Sequence, residues 1–167
     1  FAAQADAAPI PTILYNIPPT THLSIPLDVL EKLIGHPRLV GVKDSENDLQ
    51  RQTELLRRFG GRENFSIFVG TGALMAKMLL LGADGIVPGF GNLVPGLCHQ
   101  LYKEARQGNR AKVEQLDKTM MEAAMFWQHG CRKAVGTSLT LGNDNSTRRL
   151  RRRLTFACTR LFWRAWP

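Results

Sequence analysis

Leu39-Val-Gly-Val-Lys43-Asp-Ser-Glu-Asn-Asp48 is the stretch on which the reading of this chain turns. Its first four residues are apolar and β-prone, so they predict a strand that closes on a lysine. Ser45 with Asp48 three residues on predicts a capping box. Leu49, Leu56 and Phe59 continue a helix, and Gly60-Gly61 stops it. One strand followed by one helix is the unit to look for on either side.

Upstream, Thr12-Ile-Leu-Tyr-Asn16 is a β-prone run bounded by Pro11, Pro18 and Pro19. Ser24, Pro26 and the spacing of Leu27, Leu30, Leu33 and Ile34 predict a capped amphipathic helix, ended by Gly35 and Pro37. Downstream, Phe65-Ser-Ile-Phe-Val69 predicts a third strand, 73–81 a helix stopped by Gly82, and Gly85-Ile-Val-Pro88 a fourth strand. Helices over about 94–107 and 109–128 follow, separated by Gly108. Strand starts near 12, 39, 65 and 84 repeat the unit every 19 to 27 residues. Such alternation predicts an α/β fold of parallel strands with right-handed crossovers. An open doubly wound sheet and a segment of a (β/α) barrel share this periodicity.

The 167 residues carry 22 Lys+Arg and 14 Asp+Glu, but seven of the arginines, and none of the acids, lie in 145–167. The rest of the chain is nearly neutral, so nucleic-acid binding is not expected of the body. No apolar run reaches the ~18 residues that span a bilayer. Three scattered cysteines suit neither a disulfide framework nor a zinc cluster, and His22, His36, His99 and His129 lack ligand spacing; no metal is expected. No signal-peptide pattern opens the chain, which predicts a cytoplasmic setting. Phe1 stands where a native chain begins with Met, which predicts a processed product or a fragment.

Polar residues gather at one end of the predicted sheet. Tyr15 ends the first strand and Lys43 the second, while Gly70-Thr-Gly72 and Pro88-Gly-Phe-Gly91 follow the third and fourth. In parallel α/β folds, ligands bind at the C-terminal strand ends. Adjacent strands lie roughly 4.8 Å apart, so a tyrosine and a lysine there can face one small molecule. A charged group closing an apolar strand is costly unless paired or deprotonated. Desolvation favours the neutral amine, which attacks a ketone to form a Schiff base, and a nearby phenol relays protons. Spacing alone leaves two alternatives open: a strand-end lysine reaching solvent, or one paired with Asp44. Gly70-Thr-Gly72 reads as a strand-to-helix turn rather than a phosphate loop.

Tyr15-Asn-Ile-Pro18, followed by Gly41-Val-Lys-Asp-Ser45, resembles the dihydrodipicolinate synthase / N-acetylneuraminate lyase family of class I pyruvate-type aldolases. Gly82-Ala-Asp-Gly-Ile86 and Gly91-Asn-Leu-Val-Pro95 resemble its last-strand segment and the helix start after it. The resemblance covers about residues 1–128. It implies the (β/α)8 TIM-barrel family, here a partial barrel of about four strands, and a lyase that needs no cofactor. It implies Lys43 as the Schiff-base lysine and Tyr15 as the proton relay acting on pyruvate or a related 2-oxo acid, with an aldehyde as a further partner. Thr20, Gly70 and Val87 are the implied substrate-binding positions. Asn16 and Pro18 are implied to shape the turn that aims Tyr15, and Asp44 and Ser45 to start the next helix. Full-length members are implied to be homo-oligomers, with no membrane partner.

Two departures qualify the resemblance. Thr20 stands where the lysine-biosynthesis branch places a carboxylate-gripping arginine, which points towards 2-keto-3-deoxy sugar acids. The resemblance also implies that Phe1 lies inside the helix before barrel strand five, so the chain is expected to be a C-terminal half with weak activity or none. Residues 129–167 depart from the family pattern. Thr147-Arg-Arg-Leu-Arg-Arg-Arg-Leu154 and Phe162-Trp-Arg-Ala-Trp166 read either as a polyanion-binding tail on a non-catalytic fragment or as out-of-frame text, the second being the expectation.

Overall fold

All four expected strands are present in the computed structural model, which describes residues 1–92 and 94–122. A short helix α1 (Ala2–Ala7) leads into β1 (Thr12–Asn16), followed by α2 (Pro18–Thr21) and α3 (Leu27–Leu33). Then come β2 (Leu39–Asp44), α4 (Leu49–Phe59), β3 (Ser66–Val69), α5 (Met75–Leu80), β4 (Gly85–Ile86) and α6 (Pro95–Arg106). A further helix, α7, runs over 110–122. Gly108 makes the break between α6 and α7 at φ +75°, a backbone region that costs glycine nothing. The basic tail and the 129–167 segment read as divergent lie outside the described residues.

The strands pair in parallel in the order β1-β2-β3-β4, each next to its neighbour in sequence. A doubly wound sheet reverses its strand order at a switch point and carries helices on both faces. Here neither happens. On one face Leu14, Val42, Ile67 and Val69 are buried, under helices that add Leu30, Leu55, Phe59, Met75 and Met78. On the other face Ile13, Tyr15 and Val87 are each 46% exposed. Helices on one face of a consecutively ordered parallel sheet are the arrangement of a barrel wall, and this resolves the two architectures that periodicity left open.

The core beneath the helices falls into two clusters. Leu14, Leu30, Val42, Leu55, Phe59 and Ile67 lie under α3 and α4; Val69, Met75, Met78, Leu101, Val113 and Met120 lie under α5, α6 and α7. Each fully buried large apolar side chain contributes about 1.5–3 kcal/mol. An ion pair also joins α3 to α4: Arg58 donates to Asp28 at 2.6 Å, and within α4 it donates to Glu54 at 2.7 Å.

Two predicted caps do not form. The Ser45–Asp48 box is absent because α4 starts only at Leu49; Asp48 caps it, its carboxylate accepting from the Arg51 amide at 3.0 Å. Ser24 does not cap α3, whose N-cap is Pro26; the Ser24 hydroxyl donates instead to Glu46 at 2.6 Å. Asp44 likewise does not start a helix. It is the last residue of β2 and is 1% exposed.

A candidate active site at the strand ends

The register of β1 and β2 sets the site. Tyr15 lies directly opposite Lys43, and Lys43 directly opposite Phe68 on β3. Side chains alternate across a strand, so Tyr15 and Lys43 share the face the helices leave uncovered. Lys43 Nζ stands over the Tyr15 ring, 4.1 Å from its centroid, a cation–π contact. The Ser45 hydroxyl approaches the Tyr15 hydroxyl at 3.4 Å, long for a bond between two hydroxyls. The Ser45 contact is the main cause holding the Tyr15 phenol below its usual 10; partial burial works against it, and the Lys43 charge adds to it. An amine and an acidified phenol thus meet at the sheet's C-terminal edge.

Gly70, first residue after β3, completes the group. Its amide donates to the Asp44 carbonyl at 2.7 Å, which draws its backbone over β2. A Cβ there would collide with the Ser45 hydroxyl and sit 2.9 Å from Lys43 Cε. The lysine stem therefore runs under a backbone that only glycine keeps clear.

Not every predicted position joins this group. Val87 follows β4 on the same face, its amide bonded to the Val69 carbonyl at 2.9 Å. It lies two strands from Lys43, roughly 10 Å across the sheet. Thr20 sits in α2, exposed, and no hydrogen bond joins it to Tyr15 or Lys43 among the described residues. Asn16 and Pro18 stand as expected at the turn after Tyr15: Asn16 is 1% exposed and accepts from the Ile25 amide at 2.9 Å, and Pro18 opens α2. Ser45 is the site residue that sequence reasoning missed; its signal is its position two residues beyond Lys43, on the same face if the strand runs on.

A groove of about 840 Å³ opens at the opposite, N-terminal end of the sheet, lined by Ile13, Ile34, Leu39, Phe65, Phe68 and Arg62. It holds neither Tyr15 nor Lys43. Among the described residues no three His, Cys, Asp or Glu side chains gather as a metal site, and no helix is long and apolar enough to cross a membrane.

A four-stranded parallel sheet with helices on one face defines part of a (β/α) barrel. A sequence model of the dihydrodipicolinate synthetase family matches residues 1–152. The chain belongs to that family. It is 36% identical over 115 residues to the 4-hydroxy-tetrahydrodipicolinate synthase of Thioalkalivibrio sulfidiphilus, covering 69% of this chain and 38% of the relative. Dihydrodipicolinate synthase from Aquifex aeolicus superposes with a TM-score of 0.69 at 28% identity, over 75% of this chain and 43% of that one. The 2-keto-3-deoxygluconate aldolase of Sulfolobus solfataricus, at 23% identity and a TM-score of 0.66 over 76% of this chain and 41% of that one, shares the fold. The chain thus spans about two fifths of the length of the curated relatives it matches.

Proposed function

We propose that the chain carries the reacting pair of a class I lyase that acts on pyruvate or a related 2-oxo acid through a lysine Schiff base. The observation that carries this reading is Lys43 Nζ lying 4.1 Å over the ring of Tyr15, opposite it in register at the C-terminal strand ends. Family membership supports it. The neutral Lys43 amine attacks the ketone carbon, water leaves, and a protonated imine forms. That imine is the electron sink: loss of a methyl proton gives an enamine, whose carbon attacks an aldehyde, and the reverse sequence cleaves the bond. Tyr15 carries protons to and from these intermediates, and Ser45 orients its hydroxyl. Gly70 keeps the channel for the lysine stem open. Thr20 and Val87 are the further substrate-binding positions of this reading, and Thr20, lacking a guanidinium, offers no grip on a carboxylate of the aldehyde partner, which favours a 2-keto-3-deoxy sugar acid.

The test is exchange of pyruvate methyl protons in heavy water, followed as loss of the methyl proton signal. The protein is the chain joined to the complementary part of the T. sulfidiphilus relative's barrel. Exchange requires the enamine and no second substrate. It is expected to proceed, and Tyr15→Phe is expected to slow it about 10²–10⁴-fold without ending it, because the relay assists proton transfer and is not the nucleophile. No exchange by the joined, folded protein would contradict the reading.

A further inference from the structure

We propose that Asn16, Asp44 and Arg51 form a positioning clamp: a buried carboxylate on the helix-covered face of the sheet fixes the geometry of Tyr15 and Lys43 on the open face. Asn16 follows Tyr15 and Asp44 follows Lys43, and the two lie opposite one another in register. Alternation sends their side chains to the other side of the sheet from the reacting pair. Both are 1% exposed.

Three hydrogen bonds to the Asp44 carboxylate each tie a different segment to the strand ends. Oδ2 accepts from Asn16 Nδ2 at 3.1 Å, which joins β1 to β2, and from Arg51 Nε at 2.9 Å, which brings in α4. Oδ1 accepts from the Glu46 amide at 2.8 Å, which turns the chain just past Ser45. Asn16 Oδ1 holds the Ile25 amide, and Asn16 Nδ2 also donates to Glu46 at 3.1 Å. The last backbone rungs of the sheet are in the same layer: the Ser45 amide donates to the Asn16 carbonyl at 2.8 Å, and the Gly70 amide to that of Asp44 at 2.7 Å.

A one-residue slip of β1 along β2 would move the side chains of β1 to the opposite face. It would bury Tyr15 and carry Asn16 away from Asp44, which would cost the buried carboxylate one of its donors, a loss that buried charges penalise. Buried polar groups serve best as devices of register, and this clamp is placed to act as one. Its catalytic consequence rests on the reading of Tyr15 and Lys43 given above, whereas its geometry is testable without turnover.

The test reads the ionisation of Tyr15 in the intact 167-residue chain by carbon-13 NMR of tyrosine Cζ. The chain has two tyrosines, and Tyr102→Phe assigns the signals. In the unsubstituted chain Tyr15 is expected to ionise below 10, since the Ser45 hydroxyl and the Lys43 charge face it. Asp44→Asn is expected to move that ionisation up towards the free phenol value, because Ser45 and Lys43 lose their fixed placement. Leu116→Ala, a destabilising change in the other core cluster, is expected to leave it in place. Arg51→Lys keeps the charge and loses the Nε geometry; it is expected to shift Tyr15 in the same direction as Asp44→Asn, and it replaces that variant if the latter does not fold. An unchanged Tyr15 ionisation in folded Asp44→Asn or Arg51→Lys would overturn the clamp, as would an equal shift in Leu116→Ala. Absent methyl exchange with the Tyr15 shift intact would refute the proposed reaction and leave the clamp standing.

Discussion

Lys43→Arg is expected to abolish methyl-proton exchange in the joined protein, with no residual rate above that of pyruvate alone. A guanidinium stays protonated at every accessible pH and cannot attack a carbonyl. The substitution keeps the positive charge and much of the stem, so the cation over the Tyr15 ring persists while nucleophilicity is lost. Unfolding is therefore expected to change little, and the unfolding midpoint measured alongside exchange separates lost chemistry from lost structure. Lys43→Met with an equally large loss, beside an active Arg variant, would mean that charge at this position matters and nucleophilicity does not.

Gly70→Ala is the second substitution with a large expected effect. The new methyl group would meet the Ser45 hydroxyl and Lys43 Cε together. Ser45 turns away most cheaply, which breaks its approach to Tyr15; the lysine stem then shifts as well. Overpacking of this kind costs about 1–3 kcal/mol in stability. The rate suffers more, since misplacing a reacting group by about 1 Å costs on the order of 10²-fold. Exchange is thus expected to fall by about two orders of magnitude while the protein still folds. Gly70→Ser should do no better, as it adds the same Cβ. An Ala variant with unimpaired exchange would show that the close approach of β2 and β3 at this point has no part in the site.

The strands and their spacing were legible because each is a short apolar run bounded by glycine or proline, and that signal is local. Tyr15 and Lys43 were legible for the same reason: both end such runs, and parallel register does the rest. The choice between open sheet and barrel wall was not legible. It depends on which face the helices cover, and β1, with Ile13 and Tyr15 exposed and Leu14 and Asn16 buried, shows the answer only once the helices are in place. The misread caps have one cause. Ser45 and Asp48 carry the right spacing, but a serine three residues before an acid is equally at home in an extended segment, and only tertiary contacts decide. Ser45 faces Tyr15, 30 residues away, and Ser24 reaches Glu46, 22 residues away. The helix start that the resemblance implies for Asp44 suits a residue that is mostly exposed and often caps. Its burial depends on Asn16, 28 residues before it, and on Arg51, in the first turn of α4. No local pattern marks a carboxylate whose partners come from two other elements.

In the proposed reaction Lys43 forms a covalent imine with a 2-oxo acid. The joined protein is incubated with pyruvate, reduced with borohydride and digested, and the peptides are weighed. Reduction turns the imine into a stable secondary amine that marks the lysine. The expected result is a mass increase on the peptide holding Lys43, its loss in Lys43→Arg, and slower accumulation in Tyr15→Phe. A mark on Lys32 or Lys77 instead, or activity that survives Arg at position 43, would contradict it.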